Sequence, residues 1–237
     1  MIPNRLQERP LPEDFARKLL LHSANAKSGS LDNGELREVT SPFISEPLGH
    51  VGVGSADDVE KAFELSRRAQ KQWQERSIAS RARVIKRFHD LVKAHSDLLA
   101  DIVQLETGKD RTAAYDEVLD VMNNARYYAN NAEKFLATKD QAGAFPVITN
   151  TTQQRVPKGI VGQISPWNYP LALGVSDAIA ALIAGNGVVA KPDWQTPFSN
   201  LISLHLLLNA GLPHDLFQIV TGSGEVVGQA IAERCDY

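Results

Sequence analysis

The sequence predicts an α/β fold built on an open parallel sheet with helices on its faces. Three observations carry that expectation. Short apolar runs of strand length, Gly159–Ile164, Val188–Ala190 and Leu216–Val220, alternate with longer apolar stretches of helical length, Leu171–Ala184 and the segment through Leu201, Leu204, Leu207 and Leu208. The short runs are continuously apolar rather than alternating, as in strands buried on both faces. Glycine and proline fall between the elements: Pro166 and Pro170 bracket a turn that cannot relax into helix, Gly185 and Gly211 close helices, and Pro192 follows the second strand. A strand–helix–strand unit of this length is a right-handed crossover between parallel strands. Ligands of such sheets sit beyond the carboxyl ends of the strands, which is where Ser165–Asn168 and Lys191 lie.

Taken in order, residues 1–36 mix Pro, Asn, Ser and Gly with one candidate helix, Asp14–Leu21, and read as an N-terminal extension. Residues 37–53 suggest two strands joined by a turn, with Pro42 and Pro47 pushing them to a sheet edge. Four helices follow. Ser55 to Asp58 forms a capping-box-like start, and Val59, Ala62, Phe63, Ala69 and Trp73 share one helical face. Val84, Ile85, Phe88, Leu91 and Val92 repeat the pattern. Ser96 is placed to cap a third helix, through Leu98, Leu99, Ile102 and Val103, which Gly108 stops. The fourth runs from about Thr112 to Phe135 with Val118, Met122, Ala125, Ala129 and Ala132 as its apolar face.

Residues 138–156 change character: after Gly143 and Pro146, V-I-T-N-T-T-Q-Q-R-V alternates like an exposed strand. Beyond the central unit, Thr196 and Pro197 read as cap and first residue of a helix. Thr221 to Gly224 is a glycine turn into a helix from Glu225 to Arg234, and Cys235–Tyr237 resembles the start of a further strand.

Composition bounds the partners. The 237 residues are 43% hydrophobic and 22% charged, and 25 basic against 28 acidic residues leave a net charge of −3, a balance that favours neither nucleic acid nor an anionic membrane. Arg67 to Arg87 holds eight basic residues and one acid, Glu75, which reads as the solvated face of two helices because no aromatics are arranged for base stacking. The single cysteine, Cys235, fits a reducing cytoplasm rather than a disulfide framework. The opening residues lack the apolar core of a signal peptide, and no apolar run approaches the ~20 residues that span a bilayer. The six histidines have no metal-site spacing.

The stretch I-S-P-W-N-Y-P at 164–170, followed by G-N-G-V-V-A-K-P-D-W-Q-T-P at 185–197, resembles the aldehyde dehydrogenase superfamily, and within it the succinate-semialdehyde dehydrogenases. The likeness covers roughly residues 37 to 237. It implies a Rossmann-type parallel sheet with flanking helices, truncated before the catalytic domain. Residues 37–137 would form the first part of the dinucleotide-binding domain, 138–158 the strands of an oligomerisation arm, and 159–237 an incomplete nucleotide-binding core. It also implies an NADP or NAD cofactor, a small aldehyde substrate and a homo-oligomer, dimer or tetramer, for the intact enzyme.

Residue by residue, the resemblance makes Asn168 the donor that stabilises the oxyanion of the thiohemiacetal. A carboxamide at a rigid turn is suited to that task, though a turn asparagine also commonly bonds its own backbone. Ile164, Ser165, Pro166 and Trp167 match residues that flank the cofactor, and Trp167 is equally readable as core. Lys191 matches the lysine that bonds the adenosine ribose, against the plainer reading of a solvated strand-end lysine. Pro192, Asp193 and Trp194 continue that site. Many NAD-using members carry a glutamate at the position of Trp194, where its carboxylate would repel a 2′-phosphate; Trp194 removes that repulsion, which points to NADP, while Asp193 keeps one carboxylate nearby. Gly224 and Gly228 sit in a G-x-G-x-x-x-G run, either a pyrophosphate-facing helix start or a tight packing turn.

Two features depart from the family. Ser176 and Asp177 stand where many succinate-semialdehyde dehydrogenases carry Arg-Lys, the arginine suited to a substrate carboxylate. The cysteine nucleophile and the glutamate base belong to segments C-terminal to Tyr237; Cys235 lies well upstream of the nucleophile's place and reads as a small buried residue. The isolated chain is therefore expected to be inactive. The alternative is a non-catalytic remnant or interaction module that keeps the nucleotide-domain shell.

Overall fold

Pro42 and Pro47 flank the turn of an antiparallel hairpin, β1 (Leu36–Thr40) and β2 (Pro47–Gly52), in a computed structural model that describes residues 35–43, 47–145 and 148–237. The expectations for the N-terminal extension, including the Asp14–Leu21 helix, lie outside the described residues. The hairpin is not isolated. Gly54 N–H donates to Thr221 O at 2.7 Å and Thr221 Oγ1 donates to Gly52 O at 2.6 Å, which fastens it to the far end of the main sheet.

Four helices follow: α1 (Ala56–Gln74), α2 (Ile78–Ala94), α3 (Ser96–Thr107) and α4 (Arg111–Leu136). The capping box is present in full, Ser55 Oγ accepting from Asp58 N–H and Asp58 accepting from Ser55 N–H. Val59, Ala62, Phe63 and Trp73 are buried as their spacing predicts, and so are Val84, Ile85, Phe88 and Val92 on α2. Two starts differ from expectation. Ser96 is the first residue of α3 and not its cap, which is His95 without a side-chain bond. α4 begins at Arg111, one residue before the expected Thr112, because Asp110 accepts from Ala113 N–H and caps the helix there. Gly108 closes α3 at φ 81°, a left-handed conformation that disfavours any side chain.

The segment 138–156 is a short, fully exposed hairpin of β3 (Lys139–Gln141) against β4 (Thr151–Gln153). The main sheet then forms from β5 (Ile160–Ile164), β6 (Gly187–Lys191) and β7 (Phe217–Ile219), all parallel and in the order β5-β6-β7. Between them run α5 (Pro170–Ile183) and α6 (Phe198–Asn209). β6 is buried along its whole length, the expected consequence of a central parallel strand. After β7, Ser223 caps a π-helical turn, Gly224–Gly228, that runs into α7 (Gln229–Arg234). The regular helix expected from Glu225 thus starts as a wider coil. Residues 235–237 run beside β5, Asp236 N–H donating to Ile160 O and Gly162 N–H to Tyr237 O, as the sequence suggested for a further strand.

The main core joins α2, α3, α4, α5 and α6 to one face of the sheet; Val59, Phe63, Ile160, Val189, Val220, Val227 and Ile231 pack the other. Both faces of the sheet are therefore covered. The basic stretch 67–87 is not all solvated. Arg81 is 5% exposed and donates to Ile183 O at 2.9 Å and Gln74 O at 3.2 Å; burial holds its guanidinium below its ordinary pKa. Arg87 donates to Ala210 O at 2.6 Å. These arginines tie helix ends to helix ends, work that a pattern of charges along the chain does not reveal. Cys235 is half-buried against the smaller core and not fully enclosed. Among the described residues no helix is long and apolar enough to cross a membrane, and no group of His, Cys, Asp and Glu is placed to hold a metal ion.

Candidate functional site

The two turns at the carboxyl ends of β5 and β6 define the site. At the first, Ser165 N–H donates to Lys191 O at 3.1 Å, and Pro170 occupies the first turn of α5. Pro166, Trp167, Asn168 and Tyr169 between these anchors are exposed. Trp167, at 54% exposed, is not core. The Asn168 carboxamide is exposed and makes no hydrogen bond among the described residues.

Its surroundings hold groups that sequence reasoning passed over. Tyr169 cannot cap α5 and Pro170 has no N–H. Glu117 of α4 does the capping instead, its Oε2 accepting from Leu171 N–H at 3.0 Å and from Ala172 N–H at 3.1 Å. Its Oε1 accepts from Lys109 Nζ at 2.5 Å, and that ammonium lies 3.6 Å from the centroid of the Tyr169 ring. Glu106 serves α6 in the same way. It accepts from Phe198 N–H at 2.5 Å, Ser199 N–H at 2.9 Å and Ser199 Oγ at 2.5 Å. This displaces the expected Thr196 cap: α6 starts at Phe198 after Pro197, and the buried Thr196 Oγ1 has no partner. Full burial pushes the Glu106 carboxyl up to about 8, with the three donors pulling the other way and Glu117 adding a like charge. The only signal along the chain was position: each acid falls on the apolar face of its helix, Glu106 beside Val103 and Leu105, Glu117 beside Ala114 and Val118.

At the second turn Lys191 is buried and not a solvated strand end; its Nζ donates to Pro192 O at 3.1 Å, and burial holds the amine below its ordinary pKa against the pull of Asp193. Gly228 approaches the lysine stem. A methyl group there would lie 3.6 Å from Lys191 Cδ and 3.7 Å from Ile164 Cδ1, so Ile164, Lys191 and Gly228 converge on one cradle. Gly224 faces open space. The buried Ser165 Oγ is without a partner. A buried, orphaned hydroxyl at the residue after Ile164, which lines this cradle, fits a polar cofactor at these residues. Trp194 is 37% exposed and carries the Arg37 guanidinium of β1 on its face, 3.4 Å from the ring centroid. Asp193 is bonded by Gln195 N–H and caps its own turn. Arg37, Trp167, Trp194, Thr196 and Glu106 line a cavity of about 320 Å³. Ser176 faces α4, donating to Asp120 Oδ2 and accepting from Asn124 Nδ2, both at 3.3 Å.

Comparison with known proteins decides the family: residues 30–236 match the model of the aldehyde dehydrogenase family. The chain belongs to the aldehyde dehydrogenase family. A Mycolicibacterium smegmatis relative, which carries the name succinate-semialdehyde dehydrogenase [NADP(+)] only provisionally, is 49% identical over 228 residues, 96% of this chain and 43% of the relative. The yeast aldehyde dehydrogenase [NAD(P)+] 1 is 33% identical over 86% of the chain and 40% of the relative.

Among solved structures, an E. coli NADP-dependent enzyme superposes with a TM-score of 0.80 at 32% identity, over 84% of this chain and 41% of the other. Betaine aldehyde dehydrogenase from Staphylococcus aureus, in complex with NAD+, gives 0.78 at 30% identity, over 84% and 39%. This aldehyde dehydrogenase chain therefore spans about two-fifths of the length of the relatives it matches. The α/β fold with a parallel sheet and the NAD(P)-dependent family read from the motifs are both borne out.

Proposed function

We propose that the chain is the cofactor-holding part of an enzyme that oxidises an aldehyde to a carboxylate with NADP, NAD being the weaker alternative. The observation that carries this reading is the unengaged Asn168 carboxamide on a turn pinned at both ends, next to the Ile164–Lys191–Gly228 cradle. Bound there, the nicotinamide supplies the hydride acceptor. Asn168 donates to the oxygen that becomes negative when the aldehyde is attacked, and it does so without reorganising, because its turn is already fixed. Ile164, Ser165, Pro166 and Trp167 would flank the cofactor, Lys191 with Pro192, Asp193 and Trp194 would hold its adenosine ribose, and Gly224 and Gly228 would leave room for it on its adenine side. The name of the mycobacterial relative supports succinate semialdehyde as the substrate. Ser176 and Asp177 provide no cation for that substrate's carboxylate, so the test extends to short uncharged aldehydes. The exposed β3–β4 hairpin supports the reading of 138–158 as an arm that pairs with a second copy, since free strand edges seek partners. The lone cysteine supports a cytoplasmic setting.

The test uses purified residues 1–237. NADPH should quench the Trp167 and Trp194 emission at lower concentration than NADH. No quenching by either nucleotide would overturn the cofactor reading. The same chain should give no nicotinamide reduction with succinate semialdehyde or other short aldehydes. Turnover above the blank that survives Cys235→Ser would overturn the division of chemistry between this chain and the rest of the enzyme.

A further inference from the structure

We propose that Lys109 and Glu117 are positioning residues for Asn168: together they form a latch that fixes the direction of its carboxamide. The inference rests on the reading of Asn168 as an oxyanion donor. Its support is the way the turn is held. The upstream anchor is one backbone bond, Ser165 N–H to Lys191 O. The downstream anchor contains no residue of the turn's own acting as a cap. The first two available N–H groups of α5, on Leu171 and Ala172, both go to one oxygen of Glu117, which comes from a helix 54 residues away in sequence from Leu171. The Glu117 side chain is 0% exposed, so a carboxylate placed there needs a cation. Lys109 supplies it from the α3–α4 connection, with 18% of its side chain exposed.

The same ammonium touches the other side of the turn. It lies 3.6 Å from the Tyr169 ring centroid, and Tyr169 is the residue immediately after Asn168. Lys109 therefore connects the two features that bound Asn168 on its downstream side: the start of α5, through Glu117, and the Tyr169 ring, by direct contact. A helix cap alone would need only an acceptor. Cap, cation and ring in one chain of contacts fix both where α5 begins and how the peptide between Asn168 and Tyr169 is turned. Oxyanion stabilisation depends on a donor held at hydrogen-bond distance from where charge develops, so a small rotation at Tyr169 reads out at Asn168.

The experiment is a double-mutant cycle in the whole enzyme, with Lys109→Met and Glu117→Gln each made alone and in an Asn168→Ala background. Lys109→Met keeps the stem and leaves both Glu117 bonds to α5, but it also leaves a buried carboxylate without its cation, so the thermal midpoint is read alongside the rate. The expected result is a loss of about tenfold in kcat from Lys109→Met, with KM for the cofactor within twofold of wild type. In the Asn168→Ala background Lys109→Met should cost nothing more, because the residue it acts through is gone. A Lys109→Arg variant should recover most of the lost rate, since a cation returns to both Glu117 and the ring.

A wild-type kcat in Lys109→Met overturns the proposal. So does an equal loss in the presence and absence of Asn168, or loss of the folded state in Lys109→Met, either of which makes the latch purely structural. If Asn168→Ala itself keeps wild-type kcat, the oxyanion reading fails and the latch proposal falls with it, a result distinct from a failure of Lys109 alone. Glu117→Gln keeps an oxygen for the α5 amides but sets an amide donor against Lys109; joined to Lys109→Met it should return the thermal midpoint towards wild type while kcat stays low. Recovery of both together would also overturn the proposal.

Discussion

The starts of α5 and α6 face the same problem and solve it with different electrostatics. Each helix follows a turn assigned to the functional site, each begins at or beside a proline, and neither has a side chain of its own at the cap. Each is capped by a glutamate from the α3–α4 region that is itself buried. Glu117 keeps a cation against it, Lys109. Glu106 has three hydrogen-bond donors and no ion pair among the described residues, and its carboxyl is pushed up to about 8. The comparison teaches that a helix start can be held by an ion pair or by a carboxyl whose charge is itself negotiable, and that the two respond differently to pH.

The largest expected effect breaks the first solution. Glu117→Leu leaves Lys109 with no partner at the base of the turn and α5 with two uncapped amides. Removing one member of a buried pair typically costs ~3–5 kcal/mol, and urea unfolding of residues 1–237 should show a loss of that order. A loss below ~1 kcal/mol, the range of surface ion pairs, would mean that the pair contributes as an exposed one does.

Next in size is the site served by α5. In the whole enzyme, Asn168→Ala should lower kcat by ~10²-fold or more, the usual cost of one oxyanion donor, with a smaller change in cofactor KM. Steady-state rates within a factor of two of wild type would remove Asn168 from the chemistry.

The turn before α6 should respond in selectivity and not in rate. Trp194→Glu places a carboxylate under Arg37. The ratio of kcat/KM for NADP over NAD should fall by about tenfold, a change of ~1.4 kcal/mol. An unchanged ratio would show that position 194 does not face the ribose.

The smallest effect separates the two caps by pH. The folded-state pKa of Glu106 is raised from 4.5 to about 8, so between those values the folded chain holds a proton that the unfolded chain has lost. This contribution to stability is fully present at the acid end of that window and declines as pH rises through it. Glu106→Gln should flatten the fall in thermal midpoint between those limits, whereas Lys109→Met at the other cap should leave it in place. An unaltered pH profile in Glu106→Gln would show that Glu106 titrates in the ordinary carboxyl range. The bond to Ser199 Oγ survives in either state, because the hydroxyl can donate or accept.

The caps also mark the boundary of what the chain discloses residue by residue. Ser55, Gly108, Gly185 and Gly211 act on neighbours in sequence, and the elements they bound fall within a residue or two of expectation. The parallel strands were legible because burial on both faces leaves a continuous apolar run. Glu106 and Glu117 act on residues 92 and 54 positions away, so nothing local announces them. Thr196–Pro197 misled for the complementary reason: it carries a local start signal, and a distant carboxylate had already taken the amides. Arg81 belongs with them, a charge counted as solvated that spends itself on the end of α5. At the candidate site, the exposed turn that carries Asn168 was legible from Pro166 and Pro170. The partner of Trp194 was not, because Arg37 reaches it from β1, far away in the chain.

The π-helical turn at Gly224–Gly228 takes up one more residue than an α turn while making the same single circuit of the axis. The surplus is therefore absorbed locally, and the residues on either side of it keep the phase of a continuous helix. Ser223 can hold the start, accepting from Val226 N–H, while Ala230 and Ile231 stay packed in the core. Removing one exposed residue such as Val226 would close the turn into regular helix without rotating α7. The bulge thus lengthens the rim beside Lys191 and Ile164 by one residue at no cost to the packing behind it.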